Sequence, residues 1–351
     1  MNTNKDTRMN ANKKDARMNV NMRSSLVASG FSLCSASVAL VVLAVLIASP
    51  VLASKKNAGT SGAKFLSIGP GARTAAMGDA FSSVSGDLHN VYYNPAGLHA
   101  LEAPQASFMH NSYFQSMRYE FLAFASPVRK TDLSKGSFGF AIYNLAIDNI
   151  ERRTSDTDLA AGTFDASDFA YAFSYGRKLR EDISVGGTLK YIRQTIDNVN
   201  ATAIGADLGG LYKLPERPIT ASVGIRNIGT QPKFREVSSP LPRVFYLGAL
   251  GNLITRENGD HSKKLLGAAE LSMPRDAEMQ FQVGLEFSHG LGTDLLGSLR
   301  TGYNSAHTDP GGMAGFSMGA GIGFKRLNFD FAWVPFEDLG DTFRYSLILK
   351  F

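Results

Sequence analysis

From about Gln105 to Phe351 the chain alternates apolar and polar positions with a period of two, in runs of about ten residues divided by polar or Gly/Pro turns. In 279–287, Met279, Phe281, Val283, Leu285 and Phe287 share one face, and Gln280, Gln282, Gly284 and Glu286 share the other. In 327–333, Leu327, Phe329, Phe331 and Trp333 oppose Asn328, Asp330 and Ala332. The last run sets Phe343, Tyr345, Leu347, Leu349 and Phe351 against Arg344, Ser346, Ile348 and Lys350. A soluble sandwich alternates too, but three features point to lipid. The runs approach the ~9–11 residues a tilted strand needs to cross a bilayer. The minor face is small and polar, as a lumen requires. Aromatic residues such as Tyr143, Tyr171, Tyr175, Tyr191, Tyr212, Tyr303 and Trp333 gather near run ends, where a lipid–water interface favours them.

Fourteen such segments can be drawn: 105–112, 119–128, 136–146, 167–178, 183–196, 202–214, 219–228, 242–252, 264–273, 279–288, 295–303, 315–324, 327–335 and 342–351. The expected fold is all-β, a transmembrane antiparallel β-barrel of about fourteen strands, an even number as a single-chain bacterial barrel requires. With both ends in the periplasm, odd-numbered connections lie outside, and the long ones after segments 3, 7 and 11 obey this. The polar stretch after segment 8, 253–264, breaks the trend. A terminal aromatic strand ending on Phe351 suits recognition by the barrel assembly machinery.

Of the formal charge of +5, residues 1–53 carry +4, from six basic and two acidic residues. The remainder is nearly neutral, so no concentrated basic face supports nucleic-acid binding. The basic start, the apolar core Val38–Ala48, and Val51 and Ala53 before a cut at Ser54 form the three-part pattern of a signal peptide. The only cysteine, Cys34, falls inside it, so thiol and disulfide chemistry are not expected of the mature chain. The expected organisation is a signal peptide over 1–53, a separate segment over 54–104 and the barrel over 105–351.

Residues 54–104 do not alternate, yet Phe65, Leu66, Met77, Phe81, Val84, Leu88 and Val91 are too many apolar side chains for a disordered linker. Glycines at 69, 71, 78, 86 and 97 interrupt any long helix. The lumen downstream is available to cover this apolar surface. Asn94-Pro95-Ala96-Gly97 reads as a tight turn, with Pro95 fixing one angle and Gly97 easing the return.

The run FLSIGPGARTAAMGDAFSSVSGDLHNVYYNPAGL (65–98) resembles the N-terminal region of PorV/PorQ-type outer-membrane proteins, within the wider FadL-like group of long-chain fatty acid transporters. The resemblance implies a bacterial outer-membrane barrel with an N-terminal hatch in its lumen. On the matching positions Asn94, Pro95, Ala96 and Gly97 form the hatch turn, and Arg73 and Asp79 are polar anchors. Val91, Tyr92, Tyr93 and Leu98 would be its apolar grip on the wall. In FadL-like transporters a hydrophobic ligand binds beside the hatch and leaves sideways; in PorV-like proteins the barrel serves type IX secretion and its cargo proteins. A structural barrel without transport is the third reading. The expected partners are the lipid bilayer and, by role, a hydrophobic ligand or secretion-system proteins.

No catalytic, cofactor or metal role is expected. The histidines at 89, 99, 110, 261, 289 and 307 show no helical metal spacing, there is no G-x-S-x-G elbow, and Gly69 and Gly71 lack the third glycine of a dinucleotide loop. Glu120, Lys190, Asp207, Arg226, Glu270, Glu286, Arg300, Asp330 and Arg344 fall on minor faces, where a paired lumenal network is favoured over a headgroup site. A lateral opening needs a break in strand pairing, for which the glycines Gly136 and Gly139 are candidates.

Overall fold

A computed structural model describes residues 59–114, 116–128, 136–153, 155–156, 159–258, 261–307, 314–336 and 340–351. The expected signal peptide over 1–53, with Cys34, and residues 54–58 lie outside them.

Fourteen long antiparallel strands pair in chain order, and the last returns to the first to close a barrel. They are β1 (Gln105–Ser112), β2 (Arg118–Pro127), β3 (Gly136–Arg152), β4 (Gly162–Lys178), β5 (Ile183–Ile196), β6 (Val199–Lys213), β7 (Ile219–Gly229), β10 (Val244–Asn258), β11 (His261–Pro274), β12 (Gln280–Leu291), β13 (Leu295–Asn304), β14 (Phe316–Phe324), β15 (Leu327–Pro335) and β16 (Asp341–Lys350). The two-residue strands β8 (Lys233–Phe234) and β9 (Val237–Ser238) form a small hairpin between β7 and β10. Closure leaves no unpaired strand edge, the condition under which strands can span lipid. Among the described residues no helix is long and apolar enough to cross a membrane.

The alternation maps onto the two faces of the wall. In β16, Phe343, Tyr345 and Leu347 are exposed outside, while Arg344, Ser346 and Ile348 are buried inside. In β12, Leu285 and Phe287 face out, and Gln282 and Glu286 face in. Two residues depart from the expected placement. Glu120 shares the outer face with Leu122 and Phe124 and pairs with His110 at 2.7 Å; it is not lumenal. Tyr143, expected at a lipid interface, is buried in the lumen beside Phe121.

The ladders outrun the apolar pattern. The β3–β4 hairpin continues to Arg152 and Gly162 past a register shift between Ile147 and Ile150. The β10–β11 hairpin continues to Asn258 and His261 past a shift between Asn252 and Ile254. The polar stretch 253–264, expected as a connection, is therefore largely strand. Past these shifts both faces carry mostly polar side chains, so alternation fades while backbone pairing persists.

One rim, the loop rim, carries connections 153–161, 230–243 and 305–315. The other, the terminal rim, carries Gln105, Lys350 and short turns such as 179–182 and 325–326. The described chain starts at the loop rim, where the Gly62 N–H donates to the Pro240 carbonyl (2.9 Å) and Lys64 pairs with Asp276 (2.8 Å). It reaches the terminal rim at Pro104, whose carbonyl accepts from Phe351 N–H (2.9 Å). Residues 59–104 thus run the length of the lumen, while the barrel itself starts and ends at one rim, as an even number of strands requires.

Candidate lumenal site

The N-terminal segment is built from pieces of a turn or so: 3-10 turns over Lys64–Ser67 and Pro95–Ala100, and α-helices over Ala72–Ala76 and Asn90–Tyr93. Helices this short are unstable alone, so the wall holds them. The Asn94 side chain caps the second 3-10 turn, accepting from Ala96 N–H (3.1 Å) while its amide donates to the carbonyls of Ser82 (2.8 Å) and Gly210 (3.2 Å). Pro95 opens that turn, where its missing N–H costs nothing. The Gly97 N–H closes the turn that starts at Asn94 by donating to the Asn94 carbonyl (2.9 Å). The residue's further role is proximity: a Cβ there would lie 2.5 Å from Asn90 Nδ2 and 2.8 Å from the Val84 carbonyl. The wall answers in kind, since a Cβ at Gly186 would overlap Pro95 and Ala96, and one at Gly209 would overlap Asn94 Oδ1. The small minor face is thus a backbone-to-backbone fit as well as a polar surface.

Val91, Tyr92, Tyr93 and Leu98 are all buried. Tyr92 packs on Tyr93 (ring centroids 4.8 Å) and Tyr143 (6.1 Å), and Tyr93 packs on Phe81 (5.4 Å). Burying such side chains contributes about 1.5–3 kcal/mol each, comparable to a charged hydrogen bond. Gly136 and Gly139 do not interrupt the wall: Gly139 pairs with Ala125 on β2 and Ser174 on β4, and Gly136 pairs with Arg177. A Cβ at Gly139 would lie 2.6 Å from Val91, so this glycine admits the segment and opens no gap.

Arg73 and Asp79 stand on opposite sides of the segment. Arg73 forms a two-pronged pair with Glu286 (both 2.7 Å) and reaches Asp87 at 2.7 Å. Glu286 also accepts from Arg300 (2.5 Å), which pairs with Asp330 (2.7 Å). Asp87 in turn holds the His89 ring at 2.9 Å. Burial pushes the Asp87 carboxyl up, but His89 and Arg73 outweigh it and hold the group well below the ordinary carboxylate range. Asp79 takes the left-handed conformation (φ 63°) and accepts from the Tyr93 hydroxyl at 2.6 Å.

The wall supplies further anchors around its circumference. Gly69 accepts from Arg344 (2.8 Å), Ala72 N–H donates to Ser346 (2.8 Å), Ser82 N–H to Glu270 (3.0 Å), and Tyr119 donates to Ile68 (3.0 Å). Lys190 and Asp207 pair at 2.7 Å in full burial. Arg226 lies 3.4 Å from Glu270 and over the rings of Tyr246 (4.8 Å) and Tyr92 (5.3 Å). Apart from Glu120, the charges expected on minor faces form this network. Asp87, His89 and Tyr246 were not foreseen, and the acid two positions before an imidazole is the one signal in sequence for any of them; Ser346 was set on the inner face, but its bond to the segment was not read.

Two cavities flank the segment. The upper, about 500 Å3, faces the loop rim and is walled by Phe65, Tyr92, Tyr93, Tyr113 and Phe114, with Asp79 at its edge. The lower, about 370 Å3, faces the terminal rim and is lined by Arg73, Asp87, Glu286, Arg300 and Lys264. The segment separates an upper chamber, where these aromatic rings meet Arg226, Glu270 and Arg344, from a lower one lined largely by charged and polar side chains. Among the described residues no group of three or more His, Cys, Asp or Glu is placed to hold a metal ion.

The model of the uncharacterised protein family UPF0164 matches residues 39–231, more than half the chain. No curated protein matches the sequence. The Ralstonia pickettii toluene transporter TbuX is similar in structure over 81% of this chain and 98% of its own, at 14% identity and a TM-score of 0.51. The monoaromatic hydrocarbon channel CymD is similar over 81% and 98%, at 10% identity and a TM-score of 0.52. The Pseudomonas putida toluene transporter TodX is similar over 80% and 96%, at 10% identity and a TM-score of 0.50. At these identities the likeness is one of fold.

Proposed function

We propose, for a chain that belongs to the UPF0164 family, that the barrel sits in the bacterial outer membrane and passes hydrophobic small molecules, with residues 59–104 as its hatch. The observation that carries this reading is the aromatic-walled upper cavity, which ends on that segment. Its volume falls within the ~300–1,000 Å3 of small-molecule sites. Two further facts support the reading: the outer wall is apolar, and the fold is shared with barrels described as toluene or monoaromatic hydrocarbon transporters. Passage requires the segment to shift, because its contacts reach strands all around the lumen. Polar anchors make such a shift reversible: each ion pair or hydrogen bond has water as an alternative partner once the lower chamber opens.

Liposomes carrying the protein should take up labelled toluene or a labelled fatty acid faster than empty liposomes, and deleting 59–104 should change the rate. Uptake equal to that of empty liposomes would reject transport. The resemblance of 65–98 to PorV/PorQ-type proteins supports a second reading, a role in type IX secretion. Co-purification of surface proteins that share a C-terminal domain, together with absent uptake, would favour it.

A further inference from the structure

We infer that the outer wall at the terminal rim carries a binding site for the phosphate headgroup of an anionic phospholipid, formed by Arg256, Lys263, His261 and His289. These four residues alone line a surface concavity of about 460 Å3. The ladder places them side by side: Arg256 pairs with Lys263, and Lys263 pairs with His289 on the next strand. The His261 and His289 rings lie 6.1 Å apart.

The face they occupy follows from register. On β12, Leu285 and Phe287 face outward, so His289 does too, and its ring lies 6.5 Å from that of Phe287. Lys263 and Arg256 share that face through their pairing, at the rim where both also border the mouth of the lower cavity. Simple alternation from the inward-facing Asn252 would have turned Arg256 into the lumen. The extra residue at Leu253, where the register shifts between Asn252 and Ile254, reverses the parity and brings Arg256 outside. Re-aiming a side chain is a recognised consequence of a bulge.

The cluster lies near the terminal end of the outward row, past Leu285 and Phe287, with Leu291 opposite His261. Cations are costly deeper in the hydrocarbon and favoured at the depth of anionic headgroups. Among the described residues neither Arg256 nor Lys263 has an acidic partner, whereas elsewhere on the same rim Lys178 pairs with Glu181 (2.6 Å) and Arg180 with Asp182 (3.8 Å). Gly297, paired with His289, adds no side chain and keeps the groove open. A phospholipid fits both halves of this surface, phosphate against the cations and acyl chains along Leu285 and Phe287. A free phosphate ion would use only the first. The inference rests on the outer wall facing lipid and is independent of what the lumen passes.

Native mass spectrometry of the full-length protein in non-ionic detergent tests it, with phosphatidylglycerol, phosphatidylcholine and inorganic phosphate as probes. The protein should retain phosphatidylglycerol in preference to phosphatidylcholine, and millimolar inorganic phosphate should not displace it. Arg256→Gln with Lys263→Gln should weaken phosphatidylglycerol about thirtyfold, at roughly 1 kcal/mol per cation. Lys178→Gln with Arg180→Gln, at the same rim, should leave retention unchanged. Lys263→Gln alone should weaken it about fivefold by the same scale, which keeps the test valid if the double variant does not fold by heat-modifiability on gels. Equal retention of the two lipids would overturn the assignment. So would unchanged retention in the variants, or displacement by inorganic phosphate.

Discussion

Glu286→Gln removes the centre of the lumenal ion-pair chain with almost no change of shape. Glu286 accepts three charge-assisted hydrogen bonds, two from Arg73 and one from Arg300. A carboxamide keeps one acceptor oxygen and turns an N–H group toward a guanidinium. Removing one partner from an isolated buried pair costs about 3–5 kcal/mol. Here each arginine keeps a second carboxylate, Asp87 for Arg73 and Asp330 for Arg300, both at 2.7 Å. The lower chamber also admits solvent, so the loss should be nearer the ~2–3 kcal/mol of charged hydrogen bonds. The backbone of Glu286 stays in its ladder with Arg300 and Leu266, so the loss should fall on the segment's attachment. That corresponds to a 30- to 150-fold rise in the fraction of opened segment, at about 1.4 kcal/mol per tenfold. Hydrogen–deuterium exchange in nanodiscs reads this out: amides of 70–89 should exchange faster by that factor while those of β12 and β13 stay protected. Unchanged exchange in 70–89, or equal acceleration in the strands, would refute the reasoning.

Gly209→Val should push Asn94 off the wall, since even a Cβ there overlaps its side-chain oxygen; limited proteolysis should then cut within 90–100, and an uncut segment would count against the packed fit. Leu122→Arg, at an outward position in the middle of β2 that is 52% exposed, should destabilise the membrane-inserted barrel by about 2–4 kcal/mol if lipid covers it; a urea titration in vesicles showing no change would remove the lipid-facing assignment. His307, at the loop rim, has its imidazole pushed down to about 4 by burial. Its folded value lies below the unfolded one, so its contribution is present above pH ~6.5 and is lost as pH falls toward 4. Histidine-selective NMR should give that low midpoint, and a midpoint near 6.5 would show the site to be open to water.

The strands were legible because one rule runs along most of each: Phe281, Val283, Leu285 and Phe287 in β12 and Phe343, Tyr345, Leu347 and Leu349 in β16 are apolar at every second position. The rule loses its grip where both faces carry bulk. Tyr119 and Phe121 point into the lumen of β2 beside outward Leu122 and Phe124, which is why Glu120 could be set on the wrong face. It also lapses at the register shifts of β3 and β10, so Ile147–Arg152 and Ile254–Asn258 read as loops although they pair. In the segment, Ala72–Ala76 and Asn90–Tyr93 make about one turn each and leave no period to detect. The lumenal charges were visible as residue types on the inner face, but their pairing was not. Arg73 and Glu286 are 213 positions apart, and only the closed register brings them together. The glycines show the same limit: Gly209 looks like any strand glycine until Asn94 is seen against it.

A reversible tether across the segment and the wall tests the central claim most directly. The hydroxyls of Ser82 in the segment and Ser222 on β7 lie 2.8 Å apart, so Ser82→Cys with Ser222→Cys puts two sulfurs within reach of a disulfide, and residues 54–351 contain no cysteine to interfere. In liposomes, oxidised Ser82→Cys/Ser222→Cys protein should take up labelled toluene no faster than empty vesicles, and reduction should restore the uptake of the untethered protein. Equal uptake by the oxidised and reduced forms would contradict a mobile hatch as the route of passage.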